Sequence, residues 1–100
     1  VAEDVDTAAR AVIEDAGYGG CFTHGLGHGI GIGDGNEWPL LRPGSRTVLE
    51  EGMIMSCEPG VYVEGLGGVR IEDDVLVEHG GARPLNASPK ALRIIDVKKG

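Results

Sequence analysis

Thr23-His24-Gly25-Leu26-Gly27-His28-Gly29-Ile30-Gly31-Ile32-Gly33-Asp34-Gly35 is the stretch around which this chain is organised, with glycine at every odd position from Gly25 onward. In an extended segment successive side chains point to opposite faces, so one face would be bare backbone and the other would carry Leu26, His28, Ile30, Ile32 and Asp34. One imidazole then stands among aliphatic side chains. Glycines inside a strand give up conformational entropy and pack nothing, so a run this dense implies close approach by other backbone or by a ligand. The run never satisfies G-x-G-x-x-G: each candidate window puts Ile30, Ile32, Asp34 or Asn36 at its sixth position, which argues against dinucleotide binding.

Before this stretch, Val5, Ala8, Ala9, Val12, Ile13 and Ala16 recur at three- and four-residue spacings and predict a helix over Val5 to Ala16. Glu3, Asp4 and Asp6 suit its positive N-terminal end, and Gly17 suits its C-terminal cap. The apolar stripe predicts packing on a sheet, and no chemistry is expected from the helix. Cys21 to Thr23 are expected to lead into the glycine run as a short strand. After it, Asn36 to Ser45 read as a surface loop around Pro39 and the turn Pro43-Gly44, with Trp38 capping the core edge or walling a substrate site.

Met53 to Val63 and Gly68 to Val77 are rich in Val, Ile and Met and flank Glu64-Gly65-Leu66-Gly67, the pattern of an antiparallel hairpin. Centred on Gly65, that hairpin places Glu58 opposite Glu72. Like charges in that position repel, so the pair needs a shared proton, a basic neighbour or a cation. Arg70 lies on the face of Glu72, two positions away. Pro59 and Gly60 favour a break that re-aims Glu58. The remaining tail reads as a turn at His79-Gly80-Gly81, a short extended piece, and a segment Ala91 to Val97 of undetermined type.

One hundred residues with a net charge of −7 fit one small domain, residues 1–100, burying about 60–65% of the unfolded surface. The acidic balance argues against nucleic acid, which requires a basic stripe. No apolar run reaches the roughly 18 residues of a membrane span, and a cytoplasmic location is the default expectation. Cys21 and Cys57 lack the C-x-x-C spacing of a metal or redox motif and are expected as buried, reduced thiols. No G-x-S-x-G elbow is present.

The polar groups set among apolar strands are therefore His28, Glu58 and Glu72, with His24 and Arg70 beside them. An imidazole and two carboxylates suit a divalent cation such as manganese, cobalt or zinc. The competing reading is a satisfied core histidine and a carboxylate pair bridged by Arg70.

Three motifs in order then carry a resemblance: Thr23-His24-Gly25-Leu26-Gly27-His28-Gly29-Ile30-Gly31; Leu49-Glu50-Glu51-Gly52-Met53 leading to Ser56-Cys57-Glu58-Pro59-Gly60-Val61-Tyr62; and Gly68-Val69-Arg70-Ile71-Glu72-Asp73-Asp74-Val75. Together they closely resemble the pita-bread metallopeptidases, in the branch of Xaa-Pro aminopeptidases and prolidases within the methionine aminopeptidase superfamily. The resemblance implies an α+β fold, the C-terminal half of a pita-bread catalytic domain, with one long helix on a curved, mainly antiparallel sheet. It implies His28, Glu58 and Glu72 as three ligands of a two-metal centre, with Glu72 bridging and Glu58 also accepting a proton from water. His24 matches a histidine that holds substrate and stabilises the tetrahedral intermediate, and Arg70 matches an arginine behind the ligands. The implied activity is metal-dependent hydrolysis of the Xaa-Pro bond at the N-terminus of short peptides.

The family's two other ligands are aspartates on a hairpin that precedes the helix opening this sequence. A histidine-glutamate pair usual in the family is replaced at Gly35 and Asn36, with Glu37 displaced by one residue. The hundred residues alone are therefore expected to hold metal weakly at most and to be inactive without an N-terminal half-domain or a second copy. The alternative expectation is a non-catalytic interaction module or a self-associating half-domain.

Overall fold

A computed structural model describes residues 1–33 and 37–98. Gly35 and Asn36, where the family pattern departs, lie outside the described residues, as does Asp34. The chain opens with helix α1 (Ala2–Asp15), followed by a short 3-10 turn (Gly19–Cys21). Seven strands follow: β1 (Gly27–Gly29), β2 (Glu37–Leu41), β3 (Ile54–Cys57), β4 (Gly60–Val63), β5 (Gly67–Arg70), β6 (Asp73–Glu78) and β7 (Gly81–Pro84). They form an antiparallel five-stranded sheet in the order β2-β1-β3-β6-β7 and a separate β4-β5 ribbon, an α+β arrangement.

Helix α1 begins three residues earlier than its apolar periodicity suggests. Val1 offers no side-chain cap, but the loop at 45–47 satisfies two early amides: Ala2 donates to the Thr47 carbonyl at 2.8 Å and Glu3 to that of Ser45 at 3.0 Å. The helix ends as predicted on Gly17, at φ 90°, with the Tyr18 amide reaching back to Ile13 and the Gly17 amide to Glu14. Its buried face differs from the predicted stripe. Ala2 and Asp6 are fully buried and Ala9 and Ile13 pack on the core, whereas Val12 is 70% exposed. Periodicity counted only apolar residues, and the polar Asp6 belongs to the inner face because Arg10 neutralises it.

Two local expectations are corrected. Cys21 to Thr23 do not form a strand; Cys21 closes the 3-10 turn and Phe22 carries its ring into the core. Asn36 to Ser45 are not wholly a loop, because Glu37–Leu41 form β2 on β1. The proline that argued against a strand is accommodated because β2 lies at the sheet edge, where one side of the ladder needs no donors. Trp38 is 68% exposed, so it does not cap the core.

The core is small: Ala2, Phe22, Leu26, Leu41 and Met55, with Leu49, Met53, Val75 and Val77 around them. It joins α1 to the sheet through the glycine run. Gly27 and Gly29 show why that run tolerates no side chain on one face. A β-carbon on Gly27 would collide with the Ser56 carbonyl of β3, and one on Gly29 with the Trp38 carbonyl of β2. The close approach is thus made by the chain's own neighbouring strands.

The long hairpin keeps one register across a break. Cys57 pairs with Asp73 at one side of the break and Gly60 with Arg70 at the other, so Glu58 and Glu72 face each other as expected. Pro59 interrupts the ladder, and the Ile71 amide bonds its carbonyl at 3.2 Å. Beyond β7, which supplies the extended piece of the tail, residues 91–98 adopt neither helix nor strand. The tail is clipped to β6 by Asn86, which donates to Asp73 at 2.6 Å and accepts from the Asp74 amide at 2.8 Å. No helix among the described residues is long and apolar enough to cross a membrane. Both cysteines are free and half-buried, less enclosed than expected.

Candidate metal centre

The sheet brings the glycine run beside the hairpin break. The Glu58 amide donates to the Leu26 carbonyl at 2.7 Å, and the His28 amide donates to Ser56 Oγ at 3.0 Å. These bonds register β1 on β3 and set His28 against Glu58. His24, His28, Glu58 and Arg70 line one open cavity of about 270 Å³, together with Gly25, Gly27, Leu40 and Arg42. Glu72 adjoins it through Glu58.

Hydrogen bonding fixes the histidine tautomers. His28 Nδ1 lies 2.8 Å from the Gly29 carbonyl, which can only accept, so Nδ1 carries the proton. Nε2 faces Glu58 Oε2 across 3.5 Å, and in the neutral ring it presents a lone pair there. Two acceptors facing each other need a proton or a cation between them. A histidine that donates one ring nitrogen to a carbonyl while the other stays free is also the arrangement that orients a metal ligand.

The carboxylate pair gives the same indication. Burial pushes the Glu72 carboxyl above its ordinary value, and the charge and hydrogen bonding of Glu58 push it further, while Arg70 opposes the shift. Arg70 Nε lies 3.9 Å from Glu72 Oε2, too long for a hydrogen bond, so the arginine does not neutralise the pair fully. The Arg70 guanidinium is itself held more firmly protonated, first by hydrogen bonding to Tyr62 and also by the charge of Glu58. The chemistry of this donor set fits a divalent cation. Among the described residues no three His, Cys, Asp or Glu side chains form a closed metal-holding group, and the donors stand as two pairs sharing Glu58.

Two neighbours were not placed at the site from sequence. Tyr62 hydroxyl lies 2.7 Å from His24 Nε2, while His24 Nδ1 lies 2.7 Å from the Gly25 carbonyl. By the same reasoning Nδ1 is protonated and Tyr62 donates to Nε2, so both ring nitrogens of His24 are engaged. Tyr62 sits within the second quoted motif, and only its cross-strand placement reveals the contact. The other neighbour, Cys57, precedes Glu58; burial first, then Asp73 and Glu58, push its thiol up and keep it protonated.

Residues 1–79 match the profile of metallopeptidase family M24. The chain belongs to that family. Among curated relatives, the M24 chain is 46% identical over 91 residues to a Xaa-Pro dipeptidase of Pyrococcus furiosus, covering 91% of this chain and 26% of that protein. It is 51% identical over 92 residues to a putative dipeptidase, YkvY, of Bacillus subtilis, covering 92% and 25%. A solved Xaa-Pro dipeptidase from Bacillus anthracis superposes with a TM-score of 0.90 at 46% identity, over 94% of this chain and 26% of that one. The chain thus spans about a quarter of the length of the curated relatives it matches.

Proposed function

We propose that residues 1–100 form one domain, the C-terminal half of a pita-bread catalytic domain, in a peptidase that hydrolyses the Xaa-Pro bond at the N-terminus of short peptides. The observation that carries this reading is the set of unshared acceptors at the hairpin break: His28 Nε2 facing Glu58 at 3.5 Å, and Glu58 raising the Glu72 carboxyl. His28, Glu58 and Glu72 would hold the metal, as manganese, cobalt or zinc. A divalent cation, when bound, supplies Lewis acidity towards the scissile carbonyl and towards water.

The chain's own residues do the rest. Glu58 takes up the proton released as water attacks, being placed between the ligand histidine and the second carboxylate. His24, whose ring is held by Gly25 and Tyr62 on the cavity wall, contacts the substrate by exchanging its Tyr62 bond for one to the peptide. Arg70 steadies Glu72 from the exposed side. The family's aspartate ligands would come from an N-terminal half-domain, or else from a second copy. The absence of a closed donor group among the described residues supports weak metal holding by these residues alone.

Titration of Mn, Co and Zn into wild type and Glu58→Ala tests the reading. Glu58 belongs to both donor pairs, so its loss is expected to weaken binding at least tenfold. Equal affinity in the two proteins would remove the ligand set.

A further inference from the structure

Helix α1, from which no chemistry was expected, holds the most deeply buried ion pair among the described residues. Asp6 is fully buried, and Arg10 meets it with two parallel bonds, Nε to Oδ1 at 2.9 Å and Nη2 to Oδ2 at 3.1 Å. The pair then spends its remaining capacity on one backbone segment. Arg10 Nη1 donates to the Phe22 carbonyl at 2.9 Å and Nη2 to the His24 carbonyl at 2.9 Å, while Asp6 Oδ2 accepts the Leu26 amide at 3.0 Å. The guanidinium also lies 4.1 Å over the Phe22 ring. Three alternate residues, 22, 24 and 26, are thus pinned by one ion pair, the first two by the guanidinium and the third by the carboxylate.

A buried ion pair is weak evidence for stability by itself, since apolar side chains of similar volume often serve as well. What apolar side chains could not supply is the direction of these bonds. They fix the main chain on both sides of His24, whose ring stands edge-on to Phe22 at 5.2 Å and 84° and reaches Tyr62. Lysine would keep the charge but lose the fork that reaches two carbonyls and two carboxylate oxygens at once.

We propose that Asp6 and Arg10 are positioning residues for His24: a clamp of buried carboxylate and half-buried guanidinium on the Phe22-to-Leu26 backbone that sets where the imidazole stands beside His28 and Glu58. The clamp rests on the reading of His24 as a substrate contact. A displacement of about 1 Å at such a group can cost about a hundredfold in rate.

The test is a double-mutant cycle in the metal-loaded protein at its full length, with a Xaa-Pro dipeptide as substrate. Arg10→Lys is expected to lower kcat/KM about 10- to 100-fold in the wild-type background and less than about twofold in the His24→Ala background, with metal affinity unchanged. Asp6→Asn, which keeps an acceptor for the Leu26 amide, is the second variant and should behave alike. ¹⁵N spectra of the His24 ring should also lose the single Nδ1-protonated form in either variant. Equal losses in both backgrounds would overturn the clamp while leaving His24 in its role. A silent His24→Ala would remove the role of His24 and the clamp with it. Failure of both clamp variants to fold would make the pair a folding element and also overturn the proposal.

Discussion

Gly27→Ala should open the joint between the glycine run and the hairpin. The added β-carbon would lie 2.7 Å from the Ser56 carbonyl carbon and 3.0 Å from Ser56 Oγ, against an ordinary separation of about 3.5–4.0 Å. Both neighbours are held by β3, so relief requires β1 and β3 to part by about 1 Å. Two bonds span that gap: His28 amide to Ser56 Oγ and Glu58 amide to Leu26 carbonyl. Losing them costs about 1 kcal/mol each, and residual strain costs about 1–3 kcal/mol. Alanine stiffens the unfolded chain, which offsets about 0.5–1 kcal/mol. The net expectation is a destabilisation of about 2–4 kcal/mol, read from urea unfolding midpoints with an unchanged m-value. Metal affinity should fall with it, because the His28-Glu58 separation of 3.5 Å widens by the same movement. Gly20→Ala is the control: nothing lies within 4 Å of its β-carbon, and its stability should change by less than about 0.5 kcal/mol. A Gly27→Ala protein within about 1 kcal/mol of wild type, with wild-type metal affinity, would refute the steric account of the glycines.

Tyr62→Phe removes one hydrogen bond to His24, worth about 1 kcal/mol, and should lower the melting temperature by about 4–8 °C; because His24 gives up that bond to take the peptide, kcat/KM should not fall, and a large loss of kcat/KM would refute the exchange. Metal affinity should rise with pH: the Glu72 carboxyl keeps its proton above the ordinary carboxylate range, and a cation must displace it. Calorimetry in buffers of different ionisation enthalpy should detect proton release at acidic pH that fades as pH climbs past the raised value; a pH-independent affinity would contradict this. Burial and the neighbouring carboxylates push up the Cys57 thiol, so iodoacetamide should label it more slowly than a free thiol near pH 8, and labelling at equal rates in native and urea-unfolded protein would refute the environment described.

Much of the site was legible because it depends on strand register, and register is a local property of the hairpin. The apolar runs on both sides of Gly65 fix which residues face each other, so Glu58 and Glu72 could be paired from sequence, and Pro59 marked the break between them. His28 was legible as a polar residue alternating with aliphatics. The edge position of β2 was hidden, because a proline reads as a loop until the partners of both strand sides are known. The inner face of α1 was hidden for a related reason: a periodicity count scores Asp6 as solvent-facing, and only Arg10 together with the carbonyls of Phe22 and His24 makes its burial affordable.

By itself, then, the sequence determined the helix and its glycine stop, the hairpin and its facing carboxylates, and the family. Tertiary structure alone decided that the bare face of the glycine run is filled by the Ser56 and Trp38 carbonyls, that Tyr62 and Gly25 together engage both nitrogens of His24, and that an ion pair in α1 pins the backbone around it. The physical reason is one of range. Propensity, capping and hairpin register act within a few residues of each position, whereas these contacts join groups from different elements, often far apart in sequence, and exist only once the core has brought those elements together.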